Sequence, residues 1–168
     1  MTGILISRRT VLAGGTAFAV AGLAGFIGLN GLTRPARANG LAATPTMQGG
    51  GNNYMPGAPI VQRIGGGGFW MSGTVLRAGD GAPLAGQRIQ IWAHTTEGSE
   101  RDWHSHGATL TDESGAFRLE MPQIVPAVGQ AHAHLAYDSG EYETVFLRPL
   151  LSSPKDTSLE AHFVLQPV

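Results

Sequence analysis

Two histidines separated by one residue lie in the apolar stretch QAHAHLAYDSG, residues 130–140. If this stretch is a β-strand, His132 and His134 project from the same face, because side chains alternate along a strand. Two imidazoles on one face can bind a transition metal such as iron, copper or zinc. The same spacing also fits two solvent-facing side chains, so the pair needs further ligands to become a convincing site.

A second pair with the same spacing, His104 and His106, lies in RDWHSHGA. Two such pairs on neighbouring segments predict that four imidazoles surround one ion. Glu100 and Asp102 precede this second pair, and either carboxylate could add an oxygen ligand or orient an imidazole from outside the coordination shell. The sequence identifies no catalytic residue. The predicted metal ligands are His132, His134, His104 and His106.

The other two histidines have less informative positions. His94 ends a predicted core strand on the face opposite Ile89 and Ile91, which is typical of a surface histidine. His162 lies in the last strand pattern, and we predict a structural role for it. The chain has no cysteine, which excludes disulfides, thiolate ligands and thiol nucleophiles.

The segments that must position these histidines have the pattern of short β-strands. Residues 69–77 and 87–94 alternate along their length, and AGDG between them supplies residues that tolerate a tight turn. ATLTDESGAFRLEM, AHAHLAY, YETVFLRPL and LEAHFVLQPV continue the series, and the composition is rich in glycine. About seven short strands predict an all-β antiparallel sandwich, with a closed barrel as the alternative.

The first 38 residues have the pattern of a twin-arginine signal peptide. Arg8 and Arg9 precede a long glycine-rich apolar stretch, and ARA at 36–38 offers a cleavage site. This predicts export to the periplasm with the twin-arginine translocase as a partner; an uncleaved membrane anchor is the alternative. We expect a Gly-rich linker at 39–57 and the sandwich at 58–168.

The charge of the predicted exported part gives no reason to expect nucleic-acid binding. Residues 39–168 carry 7 basic and 12 acidic side chains, so their net charge is 7 − 12 = −5. A mildly acidic domain does not attract a phosphate backbone.

Several stretches together resemble the intradiol ring-cleavage dioxygenases, the family of catechol and protocatechuate dioxygenases. They span residues 52–168 in the family's order: NNYMPGAP, SGTVLRAGDGAPLAGQRIQIWAHTTEG, TLTDESGAFRLE, AHAHLAY, ETVFLRP and LEAHFVLQP. The resemblance implies a β-sandwich with a mononuclear non-haem ferric ion, which two histidines and two tyrosinates bind. It also implies that aromatic diols are opened with dioxygen. His132 and His134 match the family's two histidines.

The two tyrosines of the family have no counterpart at the matching positions. Where the first should follow Gly98, the chain has Ser99-Glu100-Arg101, and where the second should precede the histidines it has Val125-Pro126-Ala127. Phenolate ligands stabilise ferric iron, so their loss makes a divalent ion such as copper, zinc or ferrous iron equally plausible. His104 and His106 are the predicted replacements.

These observations leave three hypotheses. The first is an exported, metal-dependent oxidoreductase with a remodelled histidine-rich site, which acts on a catechol-type aromatic diol and dioxygen. The second is a non-catalytic periplasmic metal-binding protein, with copper as a candidate metal. The third is a metal-free sandwich that serves as a partner module. The sequence leaves the substrate and homo-oligomerisation open.

Overall fold

The computed structural model describes residues 40–168, so the signal peptide predicted at 1–38 lies outside the described residues. Eight strands and one short 3-10 turn, Trp103–Ser105, form this part of the chain. The strands are β1 (Phe69–Arg77), β2 (Arg88–Ala93), β3 (His106–Leu110), β4 (Ala116–Met121), β5 (Ala133–Tyr137), β6 (Val145–Leu147), β7 (Ser158–Glu160) and β8 (Phe163–Leu165).

The strands form two four-stranded sheets, which confirms the predicted all-β sandwich. In the first sheet, β1 pairs with β4 on one side and with β7 and β8 on the other. The second sheet has the order β3-β2-β5-β6, and all of its pairs are antiparallel. The first sheet is mixed, because β7 and β8 run parallel to β1.

A glycine in β1 allows β7 and β8 to share one neighbour. β7 pairs with residues 70–72 and β8 with residues 75–77, so the chain passes from one to the other beside Gly73. A Cβ atom on Gly73 would lie 1.6 Å from the carbonyl oxygen of Ala161. Only glycine permits this approach.

Apolar side chains from both sheets fill the space between them. β1 alternates buried and partly buried positions, as a strand with one face toward a core should. β2 differs, because five of its six residues are buried. Ile89 and Ile91 belong to the core cluster, whereas Gln90 and Trp92 do not and therefore lie on the outer face of the second sheet. Because Gln90 and Trp92 are buried, another part of the chain must cover the outer face of the second sheet.

The segment before the first strand covers it. The sequence predicts a linker at 39–57, but residues 40–57 lie along the sandwich and hydrogen-bond to it. On the outer face of the second sheet, the side chains of Trp92 and Gln90 donate to the carbonyl oxygens of Asn52 and Met55. The reason is geometric: the glycines of this segment let its backbone approach the sheet closely.

Among residues 40–168, no helix is long and apolar enough to cross a membrane.

Candidate metal centre

The outer face of the second sheet carries a row of stacked rings. Trp92 on β2 is paired with His106 on β3 and with His134 on β5, so the three side chains lie side by side. The indole is nearly parallel to both imidazoles, with centroid distances of 5.4 Å to His106 and 5.2 Å to His134. The indole N–H donates to the carbonyl oxygen of Asn52, in the covering segment.

The Trp92 indole lies between His106 and His134. Both ring nitrogens of His106 already have hydrogen-bond partners. Its Nε2 lies 3.0 Å from the carbonyl oxygen of Glu100, to which it donates. Its Nδ1 then accepts from the Gln90 amide at 3.3 Å. Burial lowers the pKa of His106, which favours this neutral form. The geometry makes His106 a residue that positions the Glu100 loop.

His104 lies elsewhere. It is exposed in the 3-10 turn and lines a separate cavity with Glu97 and Trp103. The turn interrupts the alternation that would have put His104 and His106 on one face, because only His106 belongs to a strand. The structure therefore brings His132 and His134 together as predicted, and does not bring His104 or His106 to the same point.

A carboxylate completes the cluster. Oε2 of Glu100 lies 3.4 Å from Nε2 of His134 and 3.6 Å from Nε2 of His132. All three atoms lie within 4.8 Å of one another, which is the arrangement expected around a single ion. Both histidines are buried, with exposures of 8% for His132 and 0% for His134. We refer to Glu100, His132 and His134 as the triad.

Hydrogen bonds fix the orientation of both triad imidazoles. Nδ1 of His132 lies 2.8 Å from the carbonyl oxygen of Gln130, and Nδ1 of His134 lies 2.9 Å from that of Gly50. A carbonyl oxygen only accepts, so each Nδ1 carries the proton and each Nε2 presents its lone pair toward Glu100. This arrangement is typical of metal-binding histidines, whose second nitrogen donates to the protein.

Two atoms of the triad are buried without a hydrogen-bond partner in the described residues. They are Nε2 of His134 and Oε2 of Glu100, the same atoms that face each other. Buried polar atoms without a partner destabilise a fold, and a bound ion would offset that cost. Burial also lowers the pKa of His134, and thus favours the neutral imidazole that a metal requires. The residues fit a metal ion.

The loop that carries Glu100 is held from several directions. Oε1 of Glu100 accepts from the Asn53 amide at 2.8 Å, which leaves Oε2 for the triad. Asp102, the other carboxylate considered from the sequence, accepts instead from the backbone N–H of Ser99 at 2.8 Å and shapes the turn. Glu100 lies just after Gly98, where the resemblance places the family's first tyrosine. This position in the sequence pointed to Glu100 as a candidate ligand. Asn53 gave no such signal.

A cavity of about 440 Å³ adjoins the triad. His94 lines it, and its buried Nδ1 has no hydrogen-bond partner within residues 40–168, so the strand-end position does not make this side chain fully solvent-facing. The remaining walls combine apolar and cationic groups, and they include Val128, Arg101 and Arg148. No tyrosine lines this cavity among the described residues; Tyr54 bonds to Asp138 instead. Its volume is that of a small-molecule site.

The fold of the described residues also occurs in solved structures, whereas sequence comparisons find no relative. No protein-family model matches the chain, and no curated protein matches it by sequence. Solved structures do match: 3-chlorocatechol 1,2-dioxygenase from Rhodococcus opacus 1CP is 18% identical with a TM-score of 0.56, covering 75% of this chain and 73% of that one. The chain has the fold of the intradiol dioxygenases.

Two further structures agree. Hydroxyquinol 1,2-dioxygenase from Pseudomonas putida DLL-E4 is 14% identical with a TM-score of 0.58, and the match covers 76% of this chain and 68% of that one. The dioxygenase domain of a dioxygenase–carbohydrate-binding fusion from Streptomyces sp. SirexAA-E is 16% identical with a TM-score of 0.55, covering 75% and 99%. At these identities the likeness establishes the fold, and the chemistry must be argued from the triad.

Proposed function

We propose that this chain is an exported, mononuclear metal-dependent oxidoreductase that acts on an aromatic diol with dioxygen. The observation that supports it is the pair of unpartnered buried atoms, Nε2 of His134 and Oε2 of Glu100, beside a small-molecule cavity. Two histidines and one carboxylate form the ligand set typical of non-haem ferrous oxygenases. Iron is therefore the proposed metal, in a divalent rather than a tyrosinate-bound ferric form.

Each residue around the cavity has a definable part in this proposal. His132, His134 and Glu100 would hold the ion through Nε2, Nε2 and Oε2. A bound ferrous ion would supply Lewis-acid and one-electron chemistry toward dioxygen and a diol. The carbonyl oxygens of Gln130 and Gly50 keep the imidazoles in the correct tautomer, and Asn53 keeps Oε2 of Glu100 free.

The triad leaves room for substrate as well as metal. Three protein ligands occupy fewer positions than an octahedral ion offers, so a diol and dioxygen could bind on the cavity side. Val128 and Ala127 provide apolar wall for an aromatic ring. The twin-arginine pattern places the reaction in the periplasm in this proposal, and it suits a protein that acquires its metal before export.

The proposal is tested by metal analysis, spectroscopy and oxygen uptake on the purified protein. We expect one equivalent of iron, no intense tyrosinate-to-iron absorption in the visible range, and oxygen consumption with some member of a panel of catechols. An intense tyrosinate band would contradict the triad. One equivalent of metal without oxygen uptake by any diol would instead support the non-catalytic metal-binding protein.

A further inference from the structure

The described residues include six arginines, and four of them have a clear partner. Arg63, Arg77 and Arg88 pair with Glu120, Asp80 and Asp138. Arg118 lies over the Trp70 ring at 3.5 Å. The remaining two, Arg101 and Arg148, have no carboxylate within 4.0 Å among residues 40–168, and both line the cavity beside the triad.

Arg148 is the more constrained of the two. Its Nε is buried and has no acceptor in the described part of the chain. Its Nη2 lies 3.4 Å from Nδ1 of His132, but that nitrogen already donates to Gln130 and cannot also accept. Nη2 is therefore left without an acceptor in the described residues, and the Arg148 side chain lines the cavity. A partly buried guanidinium without an acceptor is destabilising unless a ligand provides one.

The net charge of the side chains that line the cavity is positive. Arg101 and Arg148 contribute two positive charges and Glu100 one negative charge, so the wall has an excess of one positive charge with neutral histidines. A divalent ion at the triad would raise this excess further. Arginine binds carboxylates through two parallel N–H donors, which makes a carboxylate the best-matched anion.

We propose that Arg148, assisted by Arg101, forms a carboxylate-binding subsite beside the triad and selects small carboxylate-bearing ligands. Arg148, which is partly buried, supplies the guanidinium donors, and Arg101, which is exposed, adds a second positive charge to the lining of the cavity. The inference rests on the proposed function in one respect, namely that the selected ligand is the one that reaches the metal. Arg148 is thus a specificity-determining residue.

The test compares benzoate with its neutral analogue benzamide by titration calorimetry on the zinc-loaded and metal-free protein. We expect wild-type protein to prefer benzoate by about tenfold in both forms, as one charge-assisted hydrogen-bond pair implies. Arg148→Gln should abolish the preference, whereas Arg148→Lys should keep part of it. Arg63→Gln is the matched control, since Arg63 pairs with Glu120 and does not line this cavity.

Each outcome decides the proposal. Equal binding of the two probes by wild-type protein overturns the subsite, and so does a preference that survives in metal-free Arg148→Gln, because a group other than Arg148 would then be its source. Thermal unfolding of each variant verifies that Arg148→Gln is folded, and Arg148→Lys serves if it is not. Metal content is measured on samples loaded with zinc and with ferrous iron: a benzoate preference in protein that takes up neither metal supports the subsite while the proposed metal function fails.

Discussion

Nε2 of His134 lies 3.4 Å from Oε2 of Glu100, and neither atom has a hydrogen bond within the described residues. A neutral imidazole and a carboxylate that face each other through lone pairs can be bridged by a cation, either a metal ion or a proton. The Nδ1 proton of His134 is already donated to Gly50, so a second proton placed on Nε2 would make a charged, buried imidazole. Burial opposes that charge.

Removing a triad ligand should abolish tight metal binding. We expect His132→Ala, His134→Ala and Glu100→Gln each to weaken metal affinity by about 100-fold or more, beyond what outer-shell changes produce. His104→Ala is the control, because His104 is exposed and lines another cavity. Metal content after dialysis and calorimetric titration measure the effect. If His104→Ala lost the metal and His134→Ala retained it, His104 rather than His134 would be the metal ligand.

Replacing His106 should weaken the metal without changing its stoichiometry. His106→Ala removes the donor to the Glu100 carbonyl and one of the two imidazoles that stack on Trp92. We expect metal affinity to fall by about 10- to 100-fold while one equivalent still binds, as is typical of groups that orient a ligand. His106→Gln, which keeps an N–H donor, should restore part of the affinity. Complete loss of the metal in His106→Gln would indicate direct ligation.

Substitution of Gly50 should destabilise the fold and loosen His134. A Cβ on Gly50 would lie 2.8 Å from the backbone of Phe146, so the covering segment would have to move. We expect Gly50→Ala to lower the free energy of unfolding by about 1–3 kcal/mol, as overpacking does. At the neighbouring Gly51, the same Cβ would lie 3.5 Å from the Phe146 ring, an ordinary contact. Denaturant unfolding should therefore show a much smaller effect for Gly51→Ala.

The ion pair between Arg77 and Asp80 should give the stability of the domain an acid-dependent component. Its Nη2–Oδ2 distance is 2.6 Å, and the Arg77 hydrogen bond lowers the pKa of Asp80 to about 2. A carboxyl whose pKa is lowered on folding stabilises the protein above its unfolded pKa, and this contribution is lost as the pH falls through the folded value. The difference in Tm between wild type and Asp80→Asn should narrow from about pH 4 to about pH 2. If the difference in Tm stayed constant over this pH range, the lowered pKa of Asp80 would not contribute to the stability of the domain.

The strand pattern determined much of what the sequence could reveal. Period-two alternation predicted the sandwich, and it put His132 and His134 on one face, where the structure has them. The same rule did not apply to His104 and His106, because the 3-10 turn Trp103–Ser105 ends the alternation just before β3. Spacing alone does not distinguish a strand from a turn.

Only the tertiary structure decided which groups complete the site. Glu100 lies 32 residues before His132 in a loop whose course depends on His106, and its free oxygen depends on Asn53, 47 residues earlier. The carbonyl of Gly50 orients His134 across 84 residues. These contacts arise from the covering segment and strand pairing rather than local pattern. Local alternation fixes the direction of a side chain, whereas the convergence of loops on a point depends on the packing of the whole domain.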